Sequence, residues 1–204
     1  MSKKPIIVFE GVEGSGKSYH LKNVAEYLKK KNRKFIKIRE PGGSKNSEKI
    51  RKLILDNKST FNRNTDLLLY LSARSENISL IKKNIGKKII LIDRFVDSTI
   101  AYQHYGLGVS IKLIKFINDF LLYDIKINFT FLNLVNNSNM KKRLKIRKKL
   151  NRYDKFSQLF YNKVQAGFLK IAKKNAKKYM KVDSNKAISL NKMIIQNKID
   201  DLIR

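Results

Sequence analysis

A short segment near the start of the chain carries the clearest chemical signal in the sequence. Residues 11–18, which read GVEGSGKS, match the phosphate-binding pattern G-x-x-x-x-G-K-[ST] at every defined position. The glycines let successive backbone N–H groups point inward and form an anion site at a helix N-terminus. Lys17 can then reach the β- and γ-phosphates, and the Ser18 hydroxyl can coordinate Mg²⁺. The sequence therefore predicts a nucleoside triphosphate site made by Gly11, Val12, Glu13, Gly14, Ser15, Gly16, Lys17 and Ser18.

Arginines farther along the chain indicate a second phosphate site. Arg39 opens the segment REPGG, Arg51 follows it, and Arg94 comes directly after Asp93 at the end of an apolar run. A guanidinium group matches a phosphate with two parallel hydrogen bonds, whereas lysine acts as a point charge. The 16 acidic residues are too few to pair with the 46 lysines and arginines. We expect an acceptor monophosphate that faces the γ-phosphate, with Asp93 contributing to the metal site.

Two absences narrow the class of phosphate-loop protein. A GTPase normally carries an Asn-Lys-x-Asp segment after a later strand, and residues 133–137 read NLVNN instead. A motor ATPase usually ends a hydrophobic strand in adjacent acids, whereas here Arg94 follows Asp93. These differences favour a kinase that holds phosphate on two substrates.

Five short apolar runs are expected to form the strands that position these residues. They lie at residues 6–10, 35–39, 89–93, 129–134 and 179–182. The longer stretches between them have helical spacing. This alternation predicts an α/β fold of the P-loop NTPase type, with a five-stranded parallel sheet and helices on both faces. Ligands bind at the carboxyl ends of such strands, where the phosphate-binding loop, Arg39 and Arg94 all fall. The chain is expected to be one domain, residues 1–204.

Five blocks of sequence together resemble the bacterial thymidylate kinase family over nearly the whole chain. They are residues 9–18, 39–43, 69–74, 93–103 and 151–154, which read FEGVEGSGKS, REPGG, LYLSAR, DRFVDSTIAYQ and NRYD. The first block is generic, whereas the third and fourth together are specific to this family. The resemblance implies ATP- and Mg²⁺-dependent phosphorylation of dTMP to dTDP in dTTP synthesis. It also implies a homodimer packed through helices, and the apolar faces of residues 67–81 and 111–120 are candidates for the interface.

The resemblance also implies roles for residues around the acceptor. Glu13 matches a carboxylate that contacts the 3′-hydroxyl of the acceptor sugar. Tyr70 matches the aromatic ring that stacks on thymine, and Arg74, on the same helix face, matches the arginine that binds the base. Without the resemblance, a tyrosine at this spacing is more often a packing residue. The other matches are Ser98, Thr99 and Gln103 around the base, and Arg39, Arg51 and Arg94 at the phosphate.

The basic run of residues 140–152 is the expected helical lid. Bacterial thymidylate kinases that lack an arginine in the phosphate-binding loop often supply one from the lid, and this chain resembles them because the loop carries Gly14. The candidates are Arg143, Arg147 and Arg152, with Arg147 preferred for the transition state beside Lys17 and Arg94. As a bare charge run, the segment is also typical of a solvated helix face. The chain departs from the family at Leu107, where relatives often have arginine.

The composition limits other functions. The chain has no cysteine and two histidines, which excludes a disulfide scaffold and a thiolate zinc site. No apolar run is long enough to span a membrane, and we expect a cytoplasmic protein. The formal net charge of +30 attracts polyanions. However, 36 Lys, 25 Ile and 20 Asn indicate an AT-rich coding bias, and the lysines are scattered. No specific nucleic-acid partner is therefore expected.

Two alternatives stay open on the residues alone. One is a phosphate-loop kinase with a different acceptor, such as dUMP or a deoxynucleoside. The other is a basic nucleic-acid-dependent ATPase, for which DNA or RNA would stimulate ATP hydrolysis and salt would weaken binding.

Overall fold

Five parallel strands form the centre of the computed structural model, which describes residues 3–147 and 150–204. They are β1 (Ile6–Glu10), β2 (Phe35–Arg39), β3 (Ile89–Asp93), β4 (Phe129–Leu134) and β5 (Tyr179–Asp183). Their order in the sheet is β2-β3-β1-β4-β5. The predicted parallel sheet is confirmed. The first four strands have the predicted bounds, and β5 is one residue longer.

The central strand β1 is buried along its whole length, because helices cover both faces of the sheet. Phe9 pairs with Asp93 of β3 on one side and with Phe131 of β4 on the other. Beyond this pair, the backbone N–H of Arg94 donates to the carbonyl of Phe9 at 3.0 Å. The chain therefore leaves β1 and β3 side by side, at the same level of one sheet edge.

Helices connect the strands and cover the sheet. They are α1 (Lys17–Lys30), α2 (Lys45–Leu55), α3 (Arg63–Asn84), α4 (Val96–Thr99), α5 (Ile111–Leu122), α6 (Asn137–Lys145), α7 (Gln158–Lys174) and α8 (Ile188–Ile203). A π-helical segment, Ile100–Gly106, continues α4, and 3₁₀ turns lie at Arg152–Lys155 and Ala176–Lys178. In the described part of the chain, no helix is both long and apolar enough to cross a membrane.

Apolar faces of the helices hold the layers together. Leu21 and Leu28 of α1 pack with Ile195 and Ile199 of α8 against one face of the sheet. On the other face, Ile81 of α3 packs against the buried side chains of β1 and β3. This packing fixes the strands in register, so the loops at their carboxyl ends are held at set positions relative to one another.

The predicted lid, residues 140–152, is not one continuous helix. It contains the second half of α6, and α6 ends at Lys145. Its last residue opens the 3₁₀ turn Arg152–Lys155. Residues 148 and 149 lie outside the described residues. The lid motion itself stays a prediction.

Candidate active site

The phosphate-binding loop connects β1 to α1 as the sequence predicts. Gly11 has φ +138°, and a Cβ atom there would lie 2.2 Å from the backbone oxygen of Asn133, so no side chain fits. Gly16, with φ +85°, precedes the first turn of α1. Lys17 folds into the loop, where its Nζ donates to the carbonyl of Val12 at 2.7 Å. Burial and the nearby Arg94 lower the pKa of Lys17 to about 7. This ammonium therefore lacks a sufficient counter-charge, which a bound phosphate would supply.

Ser18 and Asp93 meet beside the loop. The Ser18 hydroxyl donates to Asp93 Oδ2 at 2.5 Å, and both residues line the same cavity. A hydroxyl and a carboxylate are the oxygen donors that Mg²⁺ prefers, and Mg²⁺ is often held by one or two protein groups together with substrate phosphates. The described residues contain no cluster of three or more His, Cys, Asp or Glu side chains that could hold a metal. The pair Ser18 and Asp93 therefore fits Mg²⁺ bound jointly with a nucleotide.

Arg94 contacts the loop that connects β1 to α1 and lies beside the predicted acceptor residues. Its Nη1 donates to the carbonyl of Gly11 at 2.9 Å, and its Nη2 contacts Glu13 Oε1 at 2.7 Å. The Tyr102 hydroxyl donates to the other oxygen of Glu13. Burial raises the pKa of Glu13, but Arg94 and Lys17 outweigh it and hold this pKa below its usual value. Although burial opposes the charge on Arg94, Glu13 and Tyr102 keep its pKa well above the usual value. Both groups are therefore charged at neutral pH.

A cavity of about 190 Å³ opens at this edge of the sheet. Its lining comes from the phosphate-binding loop, the segment after β2, helices α2 and α3, the segment after β3 and the predicted lid. The predicted residues that line it are Glu13, Lys17, Ser18, Arg39, Arg51, Tyr70, Arg74, Asp93, Arg94, Ser98, Thr99, Gln103 and Arg147.

The floor of this cavity is built around Arg74, which is 1% exposed. Its Nε donates to Glu40 Oε2 at 2.8 Å, Nη1 to Asn118 Oδ1 at 2.6 Å and Nη2 to Thr99 Oγ1 at 2.9 Å. Burial raises the pKa of Glu40, and the Arg74 charge counteracts part of that increase. These contacts use three of the five guanidinium N–H groups and fix its plane. The other two have no hydrogen-bond partner among the residues that the structure describes, and Arg74 lines the cavity.

Arg39 and Arg51 lie where the second phosphate is expected. Arg39 makes two hydrogen bonds to Glu48, at 3.1 and 2.8 Å, and Arg51 donates to the carbonyl of Pro41 at 2.5 Å. Burial and the neighbouring Arg39 lower the pKa of Arg51. The two positive charges repel one another, and an anion bound between them would offset that repulsion. The arrangement fits a phosphate on the acceptor side.

The three lid arginines are placed differently. Arg147 lines the cavity and contacts Asp154 Oδ1 at 2.7 Å. Arg143 donates to the carbonyls of Gly14 and Ser184, at 2.9 and 2.6 Å, and so ties α6 to the loop backbone. Arg152 pairs with Asp66 and donates to the carbonyl of Ile54. Of the three, Arg147 alone is among the residues that line the cavity, while Arg143 contacts the loop backbone and Arg152 contacts Asp66 of α3.

Sequence reasoning missed several residues that support this cavity. Asp66, 2% exposed, accepts hydrogen bonds from the Tyr153 hydroxyl and from Arg152, and so joins α3 to the end of the lid. The Tyr153 ring packs edge-on against Tyr70, with centroids 5.9 Å apart. An acid immediately before the apolar run 67–71 was the available signal for Asp66. Glu10, the buried acid that ends β1, was also given no role.

A phosphate-binding loop that faces an arginine-lined acceptor cavity across one sheet edge defines the class of P-loop nucleotide kinases. The family model described as thymidylate kinase matches residues 9–195. A thymidylate kinase of Thermosipho africanus is 38% identical over 82% of this chain and 84% of its own length. One of Staphylococcus epidermidis is 36% identical over 92% of each chain. The crystal structure of the thymidylate kinase from Ehrlichia chaffeensis superposes with a TM-score of 0.78 at 30% identity, covering 97% of this chain and 99% of the other.

The chain belongs to the thymidylate kinase family. The family resemblance and the fold predicted from the sequence are confirmed. Kinases of this family phosphorylate dTMP to dTDP with ATP as the phosphoryl donor.

Proposed function

We propose that this chain transfers the γ-phosphoryl group of ATP to dTMP, which yields ADP and dTDP. One observation carries the proposal. Arg94 contacts Gly11 and Glu13 of the phosphate-binding loop, which is the donor loop of the reaction. It also lines the cavity that Tyr70 and Arg74 line. The two phosphates of the reaction can therefore meet at one guanidinium group.

The donor side is formed by the loop and its first helical residues. Backbone N–H groups of the loop surround the β-phosphate, and the Lys17 ammonium pairs with the β- and γ-phosphate oxygens. Ser18 and Asp93 would hold Mg²⁺, which neutralises charge on the β- and γ-phosphates when bound. Arg147, the lid arginine that lines the cavity, would contact the transferring phosphoryl group once it leaves Asp154.

The acceptor side orients dTMP. Arg39, Arg51 and Arg94 bind its phosphate, and Tyr70 stacks on the thymine ring while the free N–H groups of Arg74 face the base. Ser98, Thr99 and Gln103 complete the polar surface around the base. Glu13 would share its carboxylate between Arg94, Tyr102 and the sugar 3′-hydroxyl.

The chemistry needs little beyond this positioning. The attacking phosphate oxygen of dTMP is already anionic, so no strong general base is required. Lys17, Arg94 and Arg147 stabilise charge that spreads over the phosphoryl group in the transition state. Closure of the lid would exclude water and limit ATP hydrolysis.

An assay with ATP, Mg²⁺ and a panel of nucleoside monophosphates and deoxynucleosides tests this function. We expect dTDP as the main product and no increase in ATP hydrolysis when DNA or RNA is added. Preferential use of dUMP or a deoxynucleoside would favour another acceptor. Stimulation of hydrolysis by polynucleotide would favour a nucleic-acid-dependent ATPase.

Replacing Lys17 tests the donor site directly. Lys17→Met keeps a buried side chain of similar length but removes the charge that pairs with the phosphates. We expect kcat to fall roughly 100- to 1,000-fold, the effect of deleting one preorganised charge-stabilising donor. The exposed Lys22→Met on α1 is the matched control and should keep full activity. Normal turnover by Lys17→Met would contradict the assignment of the loop.

We further propose a cytoplasmic homodimer with no specific nucleic-acid partner. The exposed apolar side chains of α5 support the dimer: Phe116 and Phe120 are 74% and 77% exposed, and Leu68 of α3 is also exposed. ATP as the donor supports the cytoplasmic location.

A further inference from the structure

Glu10, the last residue of β1, has a fully buried side chain. All the hydrogen bonds that its carboxyl group accepts come from one segment of the chain. Its Oε1 accepts the backbone N–H of Phe95 at 2.7 Å and that of Ser98 at 3.2 Å. Its Oε2 accepts the Ser98 hydroxyl at 2.5 Å. The three donors belong to the turn 94–98, which follows β3 and includes the first three residues of α4.

This turn has an unusual backbone at its first residue. Arg94 has φ +66°, a left-handed conformation that L residues seldom adopt outside special turns. The turn directs the backbone N–H of Phe95 toward the end of β1, where Glu10 receives it. In the same turn, Ser98 Oγ lies 3.3 Å from Arg94 Nη1, so this hydroxyl contacts both Glu10 and the guanidinium group.

We infer that Glu10 is a positioning residue for phosphoryl transfer: it holds the turn 94–98 and thereby aims the Arg94 guanidinium at the phosphates. The inference rests on the proposed role of Arg94 in that reaction. Glu10 directly precedes Gly11, so one carboxylate joins the strand that carries the donor loop to the turn that carries the acceptor arginine.

The chemistry of the contacts calls for a carboxylate. The backbone N–H groups of Phe95 and Ser98 can only donate. The Ser98 hydroxyl, whose oxygen accepts from Arg94 Nη1, donates its proton to Glu10. A carboxylate accepts from all three with its two oxygens. A glutamine has the same shape, but its NH₂ group would face either the backbone N–H groups or Ser98 Oγ, whose proton would then have to turn away from residue 10. The neighbouring acid Asp97 is already engaged, because its Oδ2 accepts the Tyr179 hydroxyl at 2.7 Å.

A double-mutant cycle between Glu10→Gln and Arg94→Lys tests the inference. In assays at pH 8, where most of Glu10 is ionised because its pKa is about 7, we expect Glu10→Gln to lower kcat roughly 10- to 100-fold, as the misplacement of a charge-stabilising group does. The KM for ATP should stay within about twofold, since the loop keeps its own contacts. In the Arg94→Lys background, the same change should lower kcat less than about threefold, because the group that Glu10 positions is already missing.

Controls separate positioning from general damage to the fold. Glu26→Gln, on the exposed face of α1, is the matched control and should leave kcat unchanged. If Glu10→Gln does not fold, Glu10→Asp gives the same cycle, since it keeps the charge but shortens the side chain that reaches the turn 94–98. Equal losses of kcat with and without the Arg94 change, or no loss at all, would overturn the inference.

Wild-type turnover of dTMP is measured first. Its absence would contradict both the proposed function and the inference that rests on it. Normal wild-type turnover together with an additive cycle would contradict the positioning role of Glu10 alone.

Discussion

Arg74 illustrates how a charged side chain can form the floor of a binding cavity. Glu40, Asn118 and Thr99 each accept one of its hydrogen bonds, and the Phe95 ring lies 5.0 Å from its guanidinium carbon. Its orientation is therefore set before a ligand binds. Preorganised donors of this kind discriminate between ligands more than they add affinity, because a mismatched base leaves them unpaired.

Arg74→Lys should weaken binding of the dTMP base far more than binding of ATP. A lysine cannot reproduce the planar set of donors, so we expect the KM for dTMP to rise roughly 10- to 100-fold and that for ATP to change less than about twofold. Steady-state kinetics with dTMP and dUMP measure both effects, with the exposed Arg33→Lys as the control. An unchanged preference between the two bases would refute the base-pocket assignment.

Glu10 should also make stability depend on pH. Burial and the neighbouring Asp97 raise its pKa to about 7 from the ordinary 4.5, although Ser98, Phe95 and Arg94 act in the opposite direction. Between these two values the folded state keeps a proton that the unfolded state has lost. The free energy of unfolding therefore decreases as the pH rises from about 4.5 to about 7.

Glu10→Gln removes this dependence. We expect the difference in unfolding free energy, wild type minus Glu10→Gln, to decrease between pH 5 and pH 7.5. Urea denaturation at several pH values measures it, and Glu26→Gln provides the comparison. A difference that is constant, or that increases with pH, would contradict the raised pKa of Glu10.

The strands were the elements most open to prediction from sequence. β1, β3 and β4 are buried almost throughout and appear as apolar runs, and Phe35, Ile36 and Ile38 mark the edge strand β2, so β1 to β4 could be placed to the residue. Arg39, Asp93 and Arg94 could then be placed at the ligand-binding edge of the sheet, because they lie at the carboxyl ends of β2 and β3. The roles of Glu10 and Asp66 could not be found this way. Glu10 depends on donors of the turn 94–98, and Asp66 on Arg152 and Tyr153, which only the folded chain brings to it.

The π-helical segment Ile100–Gly106 was also beyond sequence reasoning. It carries Tyr102 and Gln103 into the site, and it is fixed by close packing on α7 rather than by its own residue pattern. A Cβ atom at Gly167 of α7 would lie 2.5 Å from Tyr105 Cδ2. Only glycine allows the two elements to approach this closely.

Gly167→Ala should therefore destabilise the protein. We expect a loss of about 1–3 kcal/mol in unfolding free energy, as for other overpacked sites. Thermal and urea denaturation measure it. Ala166→Gly, one residue earlier on α7, controls for helix propensity, and a stable Gly167→Ala variant would show that the two elements can separate at little cost.

At the scale of the whole molecule, the exposed face of α5 stands out from a surface that is otherwise rich in lysine. Phe116 and Phe120 of α5 are 74% and 77% exposed, and Tyr123, directly after the end of the helix, is 90% exposed. Apolar patches on a soluble surface commonly mark interaction sites. The helical spacing of the sequence predicts an apolar helix face here. Whether that face is buried depends on a partner chain, which the sequence alone does not reveal.

Phe116→Asp should weaken the proposed homodimer. A charge in the centre of an apolar interface is expected to raise the dissociation constant of the dimer roughly 100-fold or more. Light scattering over a range of protein concentrations measures it. Leu159→Asp, an equally exposed apolar position on α7, is the matched control. A wild-type chain that is monomeric, or a dimer unaffected by Phe116→Asp, would contradict the proposed interface.

The pairing of Phe9 with Asp93 restricts how the length of this chain can change. Side chains alternate between the two faces of a strand, so one residue gained or lost within β1 or β3 would turn each following side chain to the opposite face. Glu10 would then point away from the turn it binds, and Asp93 away from Ser18. Insertions and deletions in homologous chains are therefore expected in the connecting helices and surface loops and to be excluded from these two strands.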